Sequence, residues 1–137
     1  VGQVATAVTF VWLGMVLAIS FLEAPLKFRA PGVTIPLGLG VGRLVFRALN
    51  AVELVWALVV VLAAALGALP MAGSVLTGVV VAVLIVQFVA VRPLLTRRSD
   101  RVLAGEDAPR SRAHYAYVVL EVVKVGVLIA LGVILLR

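Results

Sequence analysis

The sequence contains no cysteine, one histidine and two methionines among 137 residues. Without cysteine there is neither a disulfide framework nor a thiolate metal site, and the redox state of its compartment leaves no trace. The soft and imidazole donors left are too few for a metal centre or for the two axial ligands of a haem. No metal and no cofactor is therefore expected. His114 reads as a structural or interfacial side chain, its other use being that of a pH sensor. Charge is scarce too: 13% of residues are charged and only six are acidic, against about 25% charged in soluble domains. No nucleophile elbow, zinc-binding helix motif or phosphate-binding loop occurs, which speaks against an enzyme of the soluble type.

What fills the chain instead is apolar. It is 64% hydrophobic with a mean hydropathy of +1.26, and no soluble fold of this length hides that much apolar surface. Four apolar runs stand at 4–22, 48–69, 75–91 and 115–136, each near the roughly 20 residues with which a helix crosses about 30 Å of hydrocarbon. The expected fold is all-α: a single domain over 1–137, a polytopic four-helix transmembrane bundle. The third run is the shortest and should stand nearly upright, whereas the second and fourth have room to tilt. Ala18-Ile19-Ser20 loosely resembles a signal-peptide cleavage site, but no basic residue precedes the run, so it reads as a span.

The net charge of +6 is confined to two of the connections. Lys27, Arg29, Arg43 and Arg47 lie between runs one and two, and Arg92, Arg97, Arg98, Arg101, Arg110 and Arg112 between runs three and four. These are ten of the twelve basic residues. The connection at 70–74 carries no charge. Basic residues accumulate on cytoplasmic loops, so both long connections are expected inside a bacterial plasma membrane and both termini outside. Anionic lipid headgroups, met by Lys27, Arg29, Arg97 and Arg98, are the expected partners of this charge, and not nucleic acid.

Pro25, Pro31 and Pro36 with Gly32, Gly38, Gly40 and Gly42 oppose a continuous helix after run one, so an irregular, Pro/Gly-rich interfacial connection is predicted there. Gly38-Leu39-Gly40-Val41-Gly42-Arg43 fits neither the Walker pattern nor the dinucleotide fingerprint and reads as a hinge into helix two; Gly38 and Gly42 also offer a close approach to another helix. In the second basic connection Gly105 can end a helical extension of run three. Asp107 can cap a new helix with Ala108 and Pro109 in its first turn and Arg110 and His114 on one exposed face.

The chemistry rests on ionisable residues inside apolar runs, which belong on the bundle interior because each costs about 2.5–3.5 kcal/mol in a bilayer centre. His114, Tyr117, Glu121 and Lys124 follow helical spacing on one stripe, and Arg43, Arg47, Asn50 and Glu53 on another. With Gln87 and Glu23, the carboxylates and Lys124 fall at one level in the inner half of the membrane. A single polar cluster is expected. Glu121 and Lys124 can pair three residues apart, and Glu53 needs a cation from elsewhere. Trp12, Trp56, Tyr115 and Tyr117 read as interface anchors or packing, Trp56 being too deep for an anchor.

A resemblance rests on Gly14, on Ser20-Phe21-Leu22-Glu23-Ala24-Pro25-Leu26-Lys27-Phe28-Arg29-Ala30-Pro31-Gly32 and on Gly40-Val41-Gly42-Arg43-Leu44-Val45-Phe46. These segments resemble small integral membrane proteins of high-G+C, actinobacterial bacteria, a likeness that brings no activity with it. Ala24-Pro25 followed by Phe28 is also similar to copper-resistance-D-like membrane proteins, over about two helices. No functional residue is carried across from either. Two classes of function remain. One is a non-enzymatic membrane component, a subunit, assembly factor or small transport-type protein, whose small residues Gly14, Gly67, Gly78, Gly126 and Gly132 suit a homo-oligomer or larger membrane complex. The other is an intramembrane enzyme acting on a lipid or isoprenoid through Glu53 or Glu121. A closed polar cluster supports the first, and a cavity reaching both carboxyls the second.

Overall fold

The computed structural model describes residues 1–106 and 112–137. They form four helices and, among the described residues, no strand: α1 Gly2–Arg29, α2 Ile35–Ala65, α3 Met71–Leu103 and α4 Arg112–Leu136. Each is long and apolar enough to cross a membrane. α1 packs against α2 and α4, and α3 against the same two, so successive helices are neighbours and the last closes on the first. Short connections make them alternate up and down. One end of the bundle carries both termini and the α2–α3 turn; the other gathers the two arginine-rich connections and is called the basic end below.

The helices run past the apolar runs. α1 continues to Arg29, α2 begins at Ile35, and α3 spans 33 residues, about 50 Å at about 1.5 Å per residue. The third helix, expected to be the shortest, is thus the longest. The irregular connection shrinks to 30–34, and Gly38, Gly40 and Gly42 lie within α2 and form no hinge. The start signal is Thr34, whose side chain accepts a hydrogen bond from the Leu37 N–H, with Pro36 in the first turn. Glycine permits a break without imposing one. At 38 and 42 its lack of a side chain serves packing, because a Cβ at Gly38 would collide with the Phe28 ring and one at Gly42 would stand 3.0 Å from the Lys27 ammonium.

Pro25 and Pro93 sit inside helices, and a wide turn precedes each. Leu17–Glu23 and Gln87–Val91 are π-helical. A proline removes one N–H and crowds the carbonyl four residues back, and a π-turn shifts that carbonyl away. The helix therefore passes through. All three connections turn on a glycine in left-handed conformation: Gly32, Gly67 and Gly105, at φ 81°, 74° and 90°. Gly105 ends α3 as expected from the sequence. The cap and first turn expected at Asp107, Ala108, Pro109 and Arg110 lie outside the described residues.

The interior is layered. Ala5, Val60, Ala63, Leu69 and Leu131 pack at the end with the termini, followed by Trp12, Val16, Ala57, Val80, Leu84 and Leu128. Val91, Ala113 and Tyr117 form a third group at the basic end. Thr9 and Thr77 are buried and donate to the carbonyls of Ala5 and Gly73 one turn back, so neither hydroxyl is stranded. The outside is as apolar as the inside: Leu54, Leu58 and Leu62 on α2, Val89 on α3 and Val119 and Val122 on α4 are exposed. The glycines divide accordingly. Gly132 receives the Phe10 ring from α1, whereas Gly14, Gly78 and Gly126 have no neighbour within 4 Å of an added Cβ. Gly132→Leu is expected to lower the thermal unfolding temperature in detergent by overpacking, a cost of about 1–3 kcal/mol. Gly78→Leu, in open space, should leave it unchanged.

Candidate functional site

Between the middle apolar layer and the basic end lies a level at which all four helices present polar side chains. The spacing on α4 aims Tyr117, Glu121 and Lys124 inward, and all three are buried. Glu53 comes from α2 and Gln87 from the π-turn of α3, both buried. Lys124 is the centre. Its Nζ donates to Glu53 Oε2 and to Glu121 Oε1, each at 2.7 Å. Gln87 Nε2 donates to the same Glu121 oxygen at 2.8 Å, and Trp12 Nε1 from α1 donates to the same Glu53 oxygen at 2.9 Å. One oxygen of each carboxyl thus takes two donors. The others, Glu53 Oε1 and Glu121 Oε2, and the Gln87 carbonyl oxygen have no hydrogen-bond partner among the described residues.

The side chains of Lys124 and Glu53 are 0% exposed and that of Glu121 is 2% exposed. Ions at such depth lose their hydration and persist only when paired and hydrogen-bonded. Two carboxyls sharing one ammonium form a triad that no single helix completes alone. Glu121 and Lys124 are three apart on one helix, but Glu53 is 71 residues from Lys124.

Beyond the triad, towards the basic end, opens a cavity of about 690 Å³. Its wall includes Glu121 but not Glu53. Among the described residues, the cationic side chains of Lys27, Arg43, Arg47, Arg92 and Arg98 line it. The aromatic side chains of Phe21, Phe28, Phe46, Phe88 and Tyr117 separate them. Phe46 stands between two cations, with Lys27 Nζ 5.9 Å and the Arg92 guanidinium 5.3 Å from its centroid. Arg92 also lies 5.4 Å from the Tyr117 ring, and the two rings meet edge to face. Such contacts contribute about 0.5–2 kcal/mol each, more when desolvated.

Of the residues expected in one cluster, Glu53, Glu121, Lys124 and Gln87 meet, and two do not. Glu23 stands one turn from Lys27 at 3.7 Å, away from the triad. The His114 ring lies against the edge of Tyr115 and lines the cavity. Among the residues expected at headgroups, Arg29 and Arg97 are exposed, Arg98 is on the cavity wall, and the Lys27 side chain, 13% exposed, turns into the cavity. Trp12 was missed as a ligand of Glu53. Its depth along α1 matches that of Glu53 along α2, counted from the termini end, and that was the available signal. Trp56 reaches the Met15 sulfur at 3.3 Å.

No protein family, curated protein or solved structure matches the chain. The resemblances carried by Gly14 and residues 20–46 are neither supported nor opposed by these comparisons.

Trp12→Phe keeps the packing but deletes one donor to a buried carboxyl, a loss of about 1–3 kcal/mol. Its melting temperature in detergent should fall clearly below that of Trp56→Phe, which loses only a contact to sulfur. Equal melting temperatures would remove Trp12 from the network.

Proposed function

We propose that this chain is a multi-pass protein of the bacterial plasma membrane with both termini outside, a non-enzymatic subunit, assembly factor or small transport-type component. Four helices long and apolar enough to span, with an apolar exterior and ten of twelve basic residues on two connections at one end, support that placement. The observation that carries the functional reading is the closure of the triad, in which every named partner of Lys124, Glu53 and Glu121 is another side chain of the bundle. Such a cluster sets how helices meet. The cavity then faces the cytoplasmic side and admits a ligand, and the outward-facing Gly14, Gly78 and Gly126 offer surfaces for a homo-oligomer or a larger complex.

A second reading, an intramembrane enzyme acting on a lipid or isoprenoid, draws on one observation: Glu121 lines the cavity. Against it, Glu53 does not, and its bonded oxygen is held by Trp12 and Lys124. Of the two candidate carboxyls, only that of Glu121 meets the space a substrate would occupy.

Placement is tested by single-cysteine labelling in intact cells, the chain having no cysteine of its own. A cysteine at Met71, which is 80% exposed at the termini end, should react with an impermeant maleimide from outside. One at Arg97 should react only after permeabilisation. The reverse pattern would invert the orientation, and labelling of both from one side would overturn the spanning arrangement.

A further inference from the structure

The wall of the cavity holds more positive charge than its own carboxylates balance. Lys27 has Glu23 at 3.7 Å, Arg43 has Asp100 at 2.6 Å, and Glu121 is already committed to Lys124. Arg98 is engaged as well. Arg47 and Arg92 have no carboxylate partner among the described residues. Arg92 is half-buried with its guanidinium over Phe46 and Tyr117, a contact that occupies the face of the group. Its N–H donors radiate from the edge and meet no carboxylate among the described residues. A desolvated cation without a counter-ion is costly, and an incoming anion relieves that cost.

Two hydroxyls on the same wall point the same way. Ser20 Oγ and Ser99 Oγ are buried and without a hydrogen-bond partner among the described residues, and both line the cavity. Ser99 as a whole is only 8% exposed. Buried polar atoms are nearly always bonded, so two idle donors on the same cavity wall as two unbalanced guanidiniums describe a place for acceptor oxygens. The wall also carries an apolar portion with Phe21, Phe28, Leu39, Phe88 and Leu95, and of these Phe21 and Phe28 are 39% and 37% exposed. The space therefore joins the exterior apolar surface of the bundle. Its volume of about 690 Å³ is within the range of about 300–1,000 Å³ of small-molecule sites.

We propose that this cavity binds the phosphate group of an anionic phospholipid entering from the inner leaflet, with Arg47, Arg92, Ser20 and Ser99 as ligands of the phosphate oxygens and the aromatic wall holding the adjoining apolar part. The guanidinium fork suits phosphate, and the π-turns before Pro25 and Pro93 bring Ser20 and Arg92 to the wall. The proposal rests on the reading of the basic end as cytoplasmic and membrane-apposed. It differs from superficial attraction at Arg29 and Arg97, which do not line the cavity.

The test is lipid binding to the purified full chain in a neutral maltoside detergent, read by native mass spectrometry. The probes are dioleoylphosphatidylglycerol, dioleoylglycerol, which lacks the phosphate, and inorganic phosphate. Phosphatidylglycerol should bind about tenfold or more tightly than dioleoylglycerol, and Arg47→Gln, Arg92→Gln and Ser99→Ala should each reduce that preference, the arginine variants by about tenfold as for loss of a charge-assisted hydrogen bond. Arg97→Gln should leave it intact. Arg47 is exposed, so its variant folds whatever the fate of Arg92→Gln. Equal binding of the two lipids, or an Arg97→Gln loss as large as that of Arg47→Gln, would overturn the proposal while leaving the membrane component reading untouched. Inorganic phosphate displacing the lipid at comparable concentration would overturn the lipid as occupant and leave a free-phosphate site. Retention of neither lipid would overturn the proposal and the ligand-admitting cavity together.

Discussion

The arrangement of this bundle depends on one buried ammonium group held between two buried carboxyls. Lys124 takes Glu121 from its own helix and Glu53 from α2, while Trp12 and Gln87 tie α1 and α3 to the same two oxygens. Apolar side chains surrounded by hydrocarbon gain little by facing one another, so packing alone leaves the rotation and sliding of helices weakly determined. A charge that cannot be left unpaired determines both. Replacing such a group by matched apolar residues is often tolerated or stabilising, whereas removing one partner is not. The triad is thus better understood as fixing which faces meet than as a store of stability.

The cavity follows from the same constraint. With the triad pinning the helices at mid-height, the portions of α1 and α3 beyond it pass through π-turns and prolines, and cations and rings there line a cavity beside a small apolar group. Phe46 and Tyr117 keep Lys27 and Arg92 in place by their faces. Gly38 and Gly42 let the end of α1 lie close against α2, which places Phe28 and Lys27 on the wall. Sequence features that look like breaks in a helix act here as the means by which α1 approaches its neighbour.

Spacing alone made part of this readable. His114, Tyr117, Glu121 and Lys124 follow helical spacing, as do Arg43, Arg47, Asn50 and Glu53: the first three residues of each stripe line the cavity, and Lys124 and Glu53 lie buried beyond them. Depth counting brought Gln87 to the same level. The helix ends were less accessible, because apolar runs stop at the first charged residues while helices continue through them; α2 starts at Ile35 and not near 48. Trp12 carried no local mark of its role, its partner being 41 residues away, and only its depth along α1 pointed to Glu53. Glu23 was placed with the triad by depth, yet its helix turns it towards Lys27, one turn along.

The most direct measurement is the thermal unfolding of charge variants in detergent, compared as a set. If Lys124 is shared, Glu53→Gln and Glu121→Gln each leave a one-to-one pair and should cost less than Lys124→Met, which leaves two buried carboxyls without a cation, a loss of about 3–5 kcal/mol. Combining all three substitutions removes every charge and should recover most of that loss, a non-additivity expected only of groups in contact. A Lys124→Met variant as stable as the parent, or a triple variant no more stable than Lys124→Met, would contradict the shared ammonium as the organising interaction.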